Sequence, residues 1–208
     1  VHSNQNVTPH SAIVTFTLPS CNPPTTTTTT TVALTCADGG TCAVGDTGPG
    51  GGIVFYVHSD ADNLFTSTGS DCDTNCKYLE AAPNGWGNSS SADDACATPG
   101  TASDDPGCAW SGVTGTAIGA TAQNTAVGTG YANTQAAVGQ AGGGNTAGRA
   151  ITAAWDFTNN GKSDWHLPSK DEINELCKYS RTQTTGDTSV QCNNSGSQRT
   201  GFSGGYWG

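Results

Sequence analysis

The sequence predicts an α+β domain with a modest core, long loops stapled by disulfides and one or two short helices, and three observations lead there. Hydrophobic residues make up 34% of the 208 residues and charged residues 12%, against roughly 45–50% and 25% in an ordinary soluble domain. Gly, Thr, Ser, Ala and Asn take up the difference, and they suit loops and short strands. Nine cysteines are present, enough to staple a thin core. The two clearest elements are of opposite type: Ile53-Val-Phe-Tyr-Val57 reads as a buried strand, and Ser169-Lys-Asp-Glu172 as the capping box of a helix.

Cytosolic reductants would keep so many thiols reactive, whereas outside the cell they pair. The spacings suggest Cys36 with Cys42, Cys72 with Cys76, Cys96 with Cys108 and Cys177 with Cys192. That leaves Cys21 unpaired, for an intermolecular bridge or for an exchange of partner with Cys36 or Cys42; spacing alone does not fix connectivity. A zinc site is the rival reading, yet no Cys-x-x-Cys pair occurs and no His lies beside a Cys pair. The expected location is extracellular, at the cell surface. With no starting Met, no leader and no long apolar run, the chain reads as a processed or partial product without membrane insertion in this segment. A net charge of -10 repels phosphates, so no nucleic-acid partner is expected.

Residues 1–18 hold one strand pattern, with Ile13, Val14, Phe16 and Leu18 as its apolar members. A lone strand has backbone groups and an apolar face to satisfy, so it must pair with something. Residues 19–31 follow as a linker: Pro19, Pro23 and Pro24 lead into Thr25, Thr26, Thr27, Thr28, Thr29, Thr30 and Thr31. Proline and a β-branched run with no apolar face favour stretched, solvated backbone. These threonines read equally as O-glycosylation acceptors on a stalk or as a plain linker. The strand is then either a donor to a neighbouring subunit or the end of a preceding domain, and 32–208 forms the domain proper.

Within that domain, Tyr78 to Ala82 suggests a short strand and Asn133 to Ala141 a short helix. The capped helix is expected from Lys170 to Tyr179, with Ile173, Leu176 and Cys177 as its buried stripe. The glycines from Gly45 to Gly52 precede their strand instead of following it, which is the wrong order for a phosphate-binding loop.

Six motifs in order carry a family resemblance: Gly45-Asp-Thr-Gly-Pro-Gly-Gly-Gly-Ile-Val-Phe-Tyr56, Leu79-Glu-Ala-Ala-Pro83, Cys108-Ala-Trp-Ser-Gly112, Gly128-x-Gly-x-x-Asn-Thr134, Ser163-Asp-Trp-His-Leu-Pro-Ser-Lys-Asp-Glu-Ile173 and Gly201-Phe-Ser-Gly-Gly-Tyr-Trp207. Together they resemble the Lcl C-terminal domain family of bacterial surface proteins, over roughly Val44 to Trp207. The resemblance implies a C-type-lectin-like domain, related to the formylglycine-generating-enzyme fold, with twisted antiparallel strands. It also implies an adhesin-like or display role. Family members usually continue past the Tyr-Trp position, so an unfinished sheet edge is expected here, complementary to the unattached strand of residues 13–18. Trp165 and Leu167 are expected to pack under the capped helix, and His166 to be structural.

No constellation supports catalysis, so no enzyme is expected. His2, His10, His58 and His166 sit in no nucleophile or zinc motif, and Asp93, Asp94, Asp104 and Asp105 lie in polar loops. No cofactor is expected, with calcium as the one alternative. Asp156, Thr158, Asn160 and Asp164 around Gly161 resemble the first nine positions of a calcium loop. The closing Glu is missing, since Leu167 stands there, and a plain Asn-Gly turn is the competing reading. Trp86, Trp110 and Trp207 are candidates for stacking on sugars, although buried Trp is the commoner case.

The expected function is a structural subunit of an extracellular pilus-like filament, assembled with copies of itself by donation of the N-terminal strand. The alternative is a glycan-binding adhesin module held on a Thr-rich stalk.

Overall fold

The computed structural model describes residues 1–5, 12–14, 30–59, 64–83, 86, 88–90, 95–97 and 109–202. Among the described residues the fold is α+β: antiparallel strands and three short α-helices. Its strands are β1 (His2–Gln5), β2 (Ala12–Val14), β3 (Thr30–Val32), β4 (Ile53–Val57), β5 (Phe65–Ser67), β6 (Asp73–Ala81), β7 (Asn88–Ser90) and β8 (Ala95–Ala97). The helices are α1 (Gly130–Val138), α2 (Ala150–Asp156) and α3 (Lys170–Ser180).

Strand β6 organises the main sheet. It pairs antiparallel with β4, from Ile53 opposite Ala81 to Val57 opposite Tyr78. Further along it pairs with β5, and on its other edge with β1. The second half of β6 is buried on both faces. Leu79 joins Phe55, Tyr56, Phe65, Leu176 and Tyr179 in one apolar cluster, whereas Tyr78 packs with Val54 and Cys36 in another. Full burial of Phe55 and Leu79 contributes about 1.5–3 kcal/mol each.

Helix α3 closes the first cluster over β4, as its capping box and apolar stripe require. Ser169 Oγ accepts from Glu172 N, and Ser169 N donates to the Glu172 carboxylate at 2.8 Å. Helix α1 starts three residues earlier than its asparagine suggests, and α2, which packs on α1, has no side-chain cap that would announce it.

The N-terminal segment differs from its sequence expectation in two ways. Residues 1–18 are not set apart from the domain, because His2–Gln5 is an edge strand of the main sheet. Nor is the segment around Ile13 and Val14 unattached: β2 pairs antiparallel with β3, Ala12 opposite Val32 and Val14 opposite Thr30. Thr30 and Thr31 are therefore strand residues. Backbone amides in an extended chain take the nearest unpaired edge available, and here that edge belongs to the same chain. Phe16, Leu18 and Thr25 to Thr29 lie outside the described residues, as do Cys21, Cys108 and Trp207.

Candidate functional site

The first five residues occupy a slot between two parts of the domain. One edge of β1 pairs with β6, placing His2 opposite Glu80 and Ser3 opposite Leu79. On the other edge, His166 N donates to Val1 O at 2.6 Å and the Val1 ammonium donates to His166 O at 2.5 Å. Backbone bonds thus hold the segment on both edges, to β6 from His2 onward and to His166 at Val1. Ser3, fully buried, lies 3.0 Å from Ser67 Oγ and 2.9 Å from Ser70 Oγ.

His2 supplies the main side-chain anchor. Its imidazole is sealed from solvent, tilted against the Trp165 ring at 5.1 Å between centroids. Nδ1 pairs with the Asp164 carboxylate, and Nε2 stands 3.9 Å from Glu80 Oε1. Two buried acids from distant parts of the chain therefore converge on one residue of β1. Trp165 is in turn packed edge-on against Phe157, so the Trp-x-Leu-Pro element is core at its tryptophan.

Glu80 is held from its far side by the glycine-rich loop. Gly50 N and Gly52 N each donate to its carboxylate at 3.2 Å. A side chain at Gly50 would come within 2.9 Å of Trp165 and 3.1 Å of His2, so only glycine admits this approach. Burial raises the Glu80 carboxyl above its ordinary range, and His2 and the two amides pull against that rise. Burial likewise pushes the Val1 ammonium down from 8.0 to about 6, opposed by the negative charges of Glu172, Asp164 and Glu80.

A second hub stands beside the first. Glu172 accepts from Gly128 N at 2.7 Å as well as from Ser169, and His166 Nε2 is 3.5 Å away. Burial alone would raise this carboxyl; His166 and the amides of Ser169 and Gly128 outweigh it and hold it low. His166 Nδ1 meets Asp164 O at 3.1 Å, which joins the hubs. These sealed carboxylates and imidazoles tie the first residues to the rest of the domain.

The remaining sequence candidates are distributed as follows. Cys36–Cys42, Cys72–Cys76 and Cys177–Cys192 are disulfide-bonded. Cys96 stands in β8, while the Cys96–Cys108 pairing and Cys21 fall outside what is described. The four calcium-loop residues divide: Asp164 is buried on His2, whereas Asp156, Thr158 and Asn160 are exposed. Asn159 and Lys162 exchange both backbone bonds around Asn160 and Gly161, whose φ angles are 46° and 75°. That is an Asn-Gly hairpin turn, with Gly161 supplying the left-handed backbone. No group of three or more His, Cys, Asp or Glu suited to a metal occurs among the described residues. Trp86 packs edge-on against Phe157, and Trp110 is exposed.

Sequence reasoning missed Glu80, Asp164 and His2 as partners. His2-Ser-Asn-Gln5 has no apolar alternation, and its partners lie dozens of residues away. The one available signal was Glu80 in the otherwise mostly apolar run Tyr78–Ala82, in a chain whose glycine-rich loop lacks a lysine.

The fold and site define an α+β domain whose sheet incorporates an N-terminal strand, and its disulfides mark an oxidising, non-cytoplasmic compartment. No helix among the described residues is long and apolar enough to cross a membrane. No known protein family, curated protein or solved structure matches the chain.

Proposed function

We propose that this protein is a structural subunit of an extracellular pilus-like filament, in which β1 of one copy occupies the slot of the next. The observation that carries the reading is the seat of β1, a short strand gripped by backbone and by buried charge and joined to the rest through residues 6–29. The contacts are the same whether the strand comes from its own chain or from a neighbour, so tether and concentration decide between them. In this reading the donor is His2–Gln5; the Ile13–Leu18 segment belongs to the tether, with β2 paired to β3.

Physical chemistry supports exchange. A slot without its strand would leave Glu80 and Asp164 as buried acids lacking their imidazole, and removing one partner of a buried pair costs about 3–5 kcal/mol. It would also expose the unpaired edge of β6, which attracts another strand. With β2 kept on β3, the stretch between them and β1 is residues 6–11, which span about 19 Å when extended at about 3.1 Å each, so exchange takes place between domains in close contact. The resemblance of the six sequence motifs to the Lcl C-terminal domain family supports a surface location, and Thr25 to Thr31 would carry sugars on the outside of the filament.

The test uses two variants mixed in equal amounts, one with Ser3→Cys and the other with Ser67→Cys, under mild oxidation with the wild-type chain as control. Exchange gives a covalent dimer of the two variants on a non-reducing gel and filaments by negative stain. If the new bond forms only when both substitutions share one chain, and only single globules are seen, the filament reading is wrong.

A further inference from the structure

The slot that seats β1 touches side chains on both faces of the strand. His2 and Ser3 point to opposite sides, as successive strand residues do, and both are fully buried. On one side the imidazole meets Asp164 at Nδ1 and Glu80 at Nε2, with the Trp165 ring 5.1 Å away. On the other, the Ser3 hydroxyl lies 3.0 Å from that of Ser67 and 2.9 Å from that of Ser70. We infer that the slot is a sequence-selective receptor for a strand carrying histidine followed by serine, and that it rejects the apolar strands an ordinary sheet edge accepts. The inference rests on strand exchange between copies and specifies which strand is admitted.

Charge supplies the selection. Glu80, Asp164 and Glu172 are all buried around the seat, and His166 is the imidazole that stays behind when β1 leaves. Isoleucine or valine in place of His2 would bury Glu80 and Asp164 without a counter-charge, and buried charges are tolerated only when paired. The segment around Ile13 and Val14 therefore does not compete for this seat, although its residue types have the higher β-propensity. It pairs with β3 instead.

Shape and register add to it. A side chain at Gly50 would come within 3.1 Å of His2 Cδ2 and 2.9 Å of Trp165, so the glycine loop closes over the imidazole and the indole together. Lysine would bring one point charge on a flexible stem, whereas imidazole sets a nitrogen toward each acid. In the antiparallel pairing His2 lies opposite Glu80 and Ser3 opposite Leu79. A slip of one residue would turn the serine toward the acids and the histidine toward the hydroxyls. The dipeptide thus fixes the register of the incoming strand as well as its identity.

The experiment offers synthetic peptides to the full chain carrying Ser67→Cys. Each peptide has the sequence of residues 1–8 with Ser3→Cys, and its second position is His, Gln, Lys or Ile. The new disulfide is located by peptide mapping, and the wild-type chain controls for reaction with the native cysteines. The expected result is a bond at position 67 that forms about tenfold or more faster with the His peptide than with the other three. A readout free of thiol chemistry is the melting temperature of the His2→Ala chain, which the unsubstituted 1–8 peptide should raise and its Ile counterpart should not. If His2→Ala does not fold, the rates in the Ser67→Cys chain, which keeps His2, decide alone. Equal rates, or a faster Gln, Lys or Ile peptide, overturn the selectivity and leave strand exchange standing. No bond with any peptide, where Ser3→Cys and Ser67→Cys in one chain do bond, overturns exchange and the selectivity with it.

Discussion

Ser3 and Ser67, sixty-four residues apart in sequence, meet at 3.0 Å inside the domain, with the Ser70 hydroxyl 2.9 Å from the same oxygen. All three are buried, and because Ser70 Oγ also donates to the Ser67 carbonyl at 2.8 Å, it is the Ser3 and Ser67 hydroxyls that depend on this cluster for a partner. Ser3→Ala should therefore cost about 1–3 kcal/mol, the penalty for stranding a buried polar group. Urea unfolding checks it, and Ser3→Ala with Ser67→Ala together should cost less than the two separate losses added.

The His2 anchor gives a larger effect. His2→Ala leaves Asp164 and Glu80 buried without their imidazole, a change worth about 3–5 kcal/mol. Adding Asp164→Asn to that variant should restore part of the loss. A double-mutant cycle by chemical denaturation measures the coupling, and simple additivity would count against the pairing.

Acid and base should act in opposite senses at the two carboxylate hubs. Glu172 is held low, so its contribution is present above the ordinary carboxylate value and is lost as pH falls through the lowered one. Glu80 is raised, so its contribution is lost as pH climbs through its folded value. Urea midpoints followed with pH should show Glu172→Gln flattening the acid-side loss and Glu80→Gln removing part of the loss on the rising side.

Two glycines should respond oppositely to alanine. At Gly48 a Cβ would fall 2.1 Å from the Glu80 carboxyl carbon, so Gly48→Ala forces the acid or the loop to move, at a cost of about 1–3 kcal/mol or more. At Gly115 nothing lies within 4 Å and φ is not in the left-handed region, so Gly115→Ala should be neutral or add about 0.4–1 kcal/mol. Thermal melts of the two variants decide.

Local rules were the legible part of this sequence. Ser169 and Glu172 sit three residues apart and cap their helix by a rule that needs no tertiary partner, and Ile53 to Val57 reads as a strand from its apolar run alone. The Cys36–Cys42, Cys72–Cys76 and Cys177–Cys192 bridges are the short-range pairs that the spacings suggested without fixing. Long-range matters were not legible. A polar strand such as His2–Gln5 owes its place to β6 and His166, and the apolar Ile13 and Val14 drew attention away from it. Asp164 looked like a calcium ligand because its neighbours are oxygen donors, yet its carboxylate turns inward to a histidine at the far end of the chain.

The glutamate in β6 faces two ways: one oxygen is near the imidazole of the first strand, and both are held by amides of the glycine loop. Seating of that strand and closure of the loop are therefore linked events, each favouring the other by the same free energy. Should copies exchange this strand as proposed, one that receives it would tighten the glycine turn directly behind it, so occupied and vacant subunits would differ at that turn.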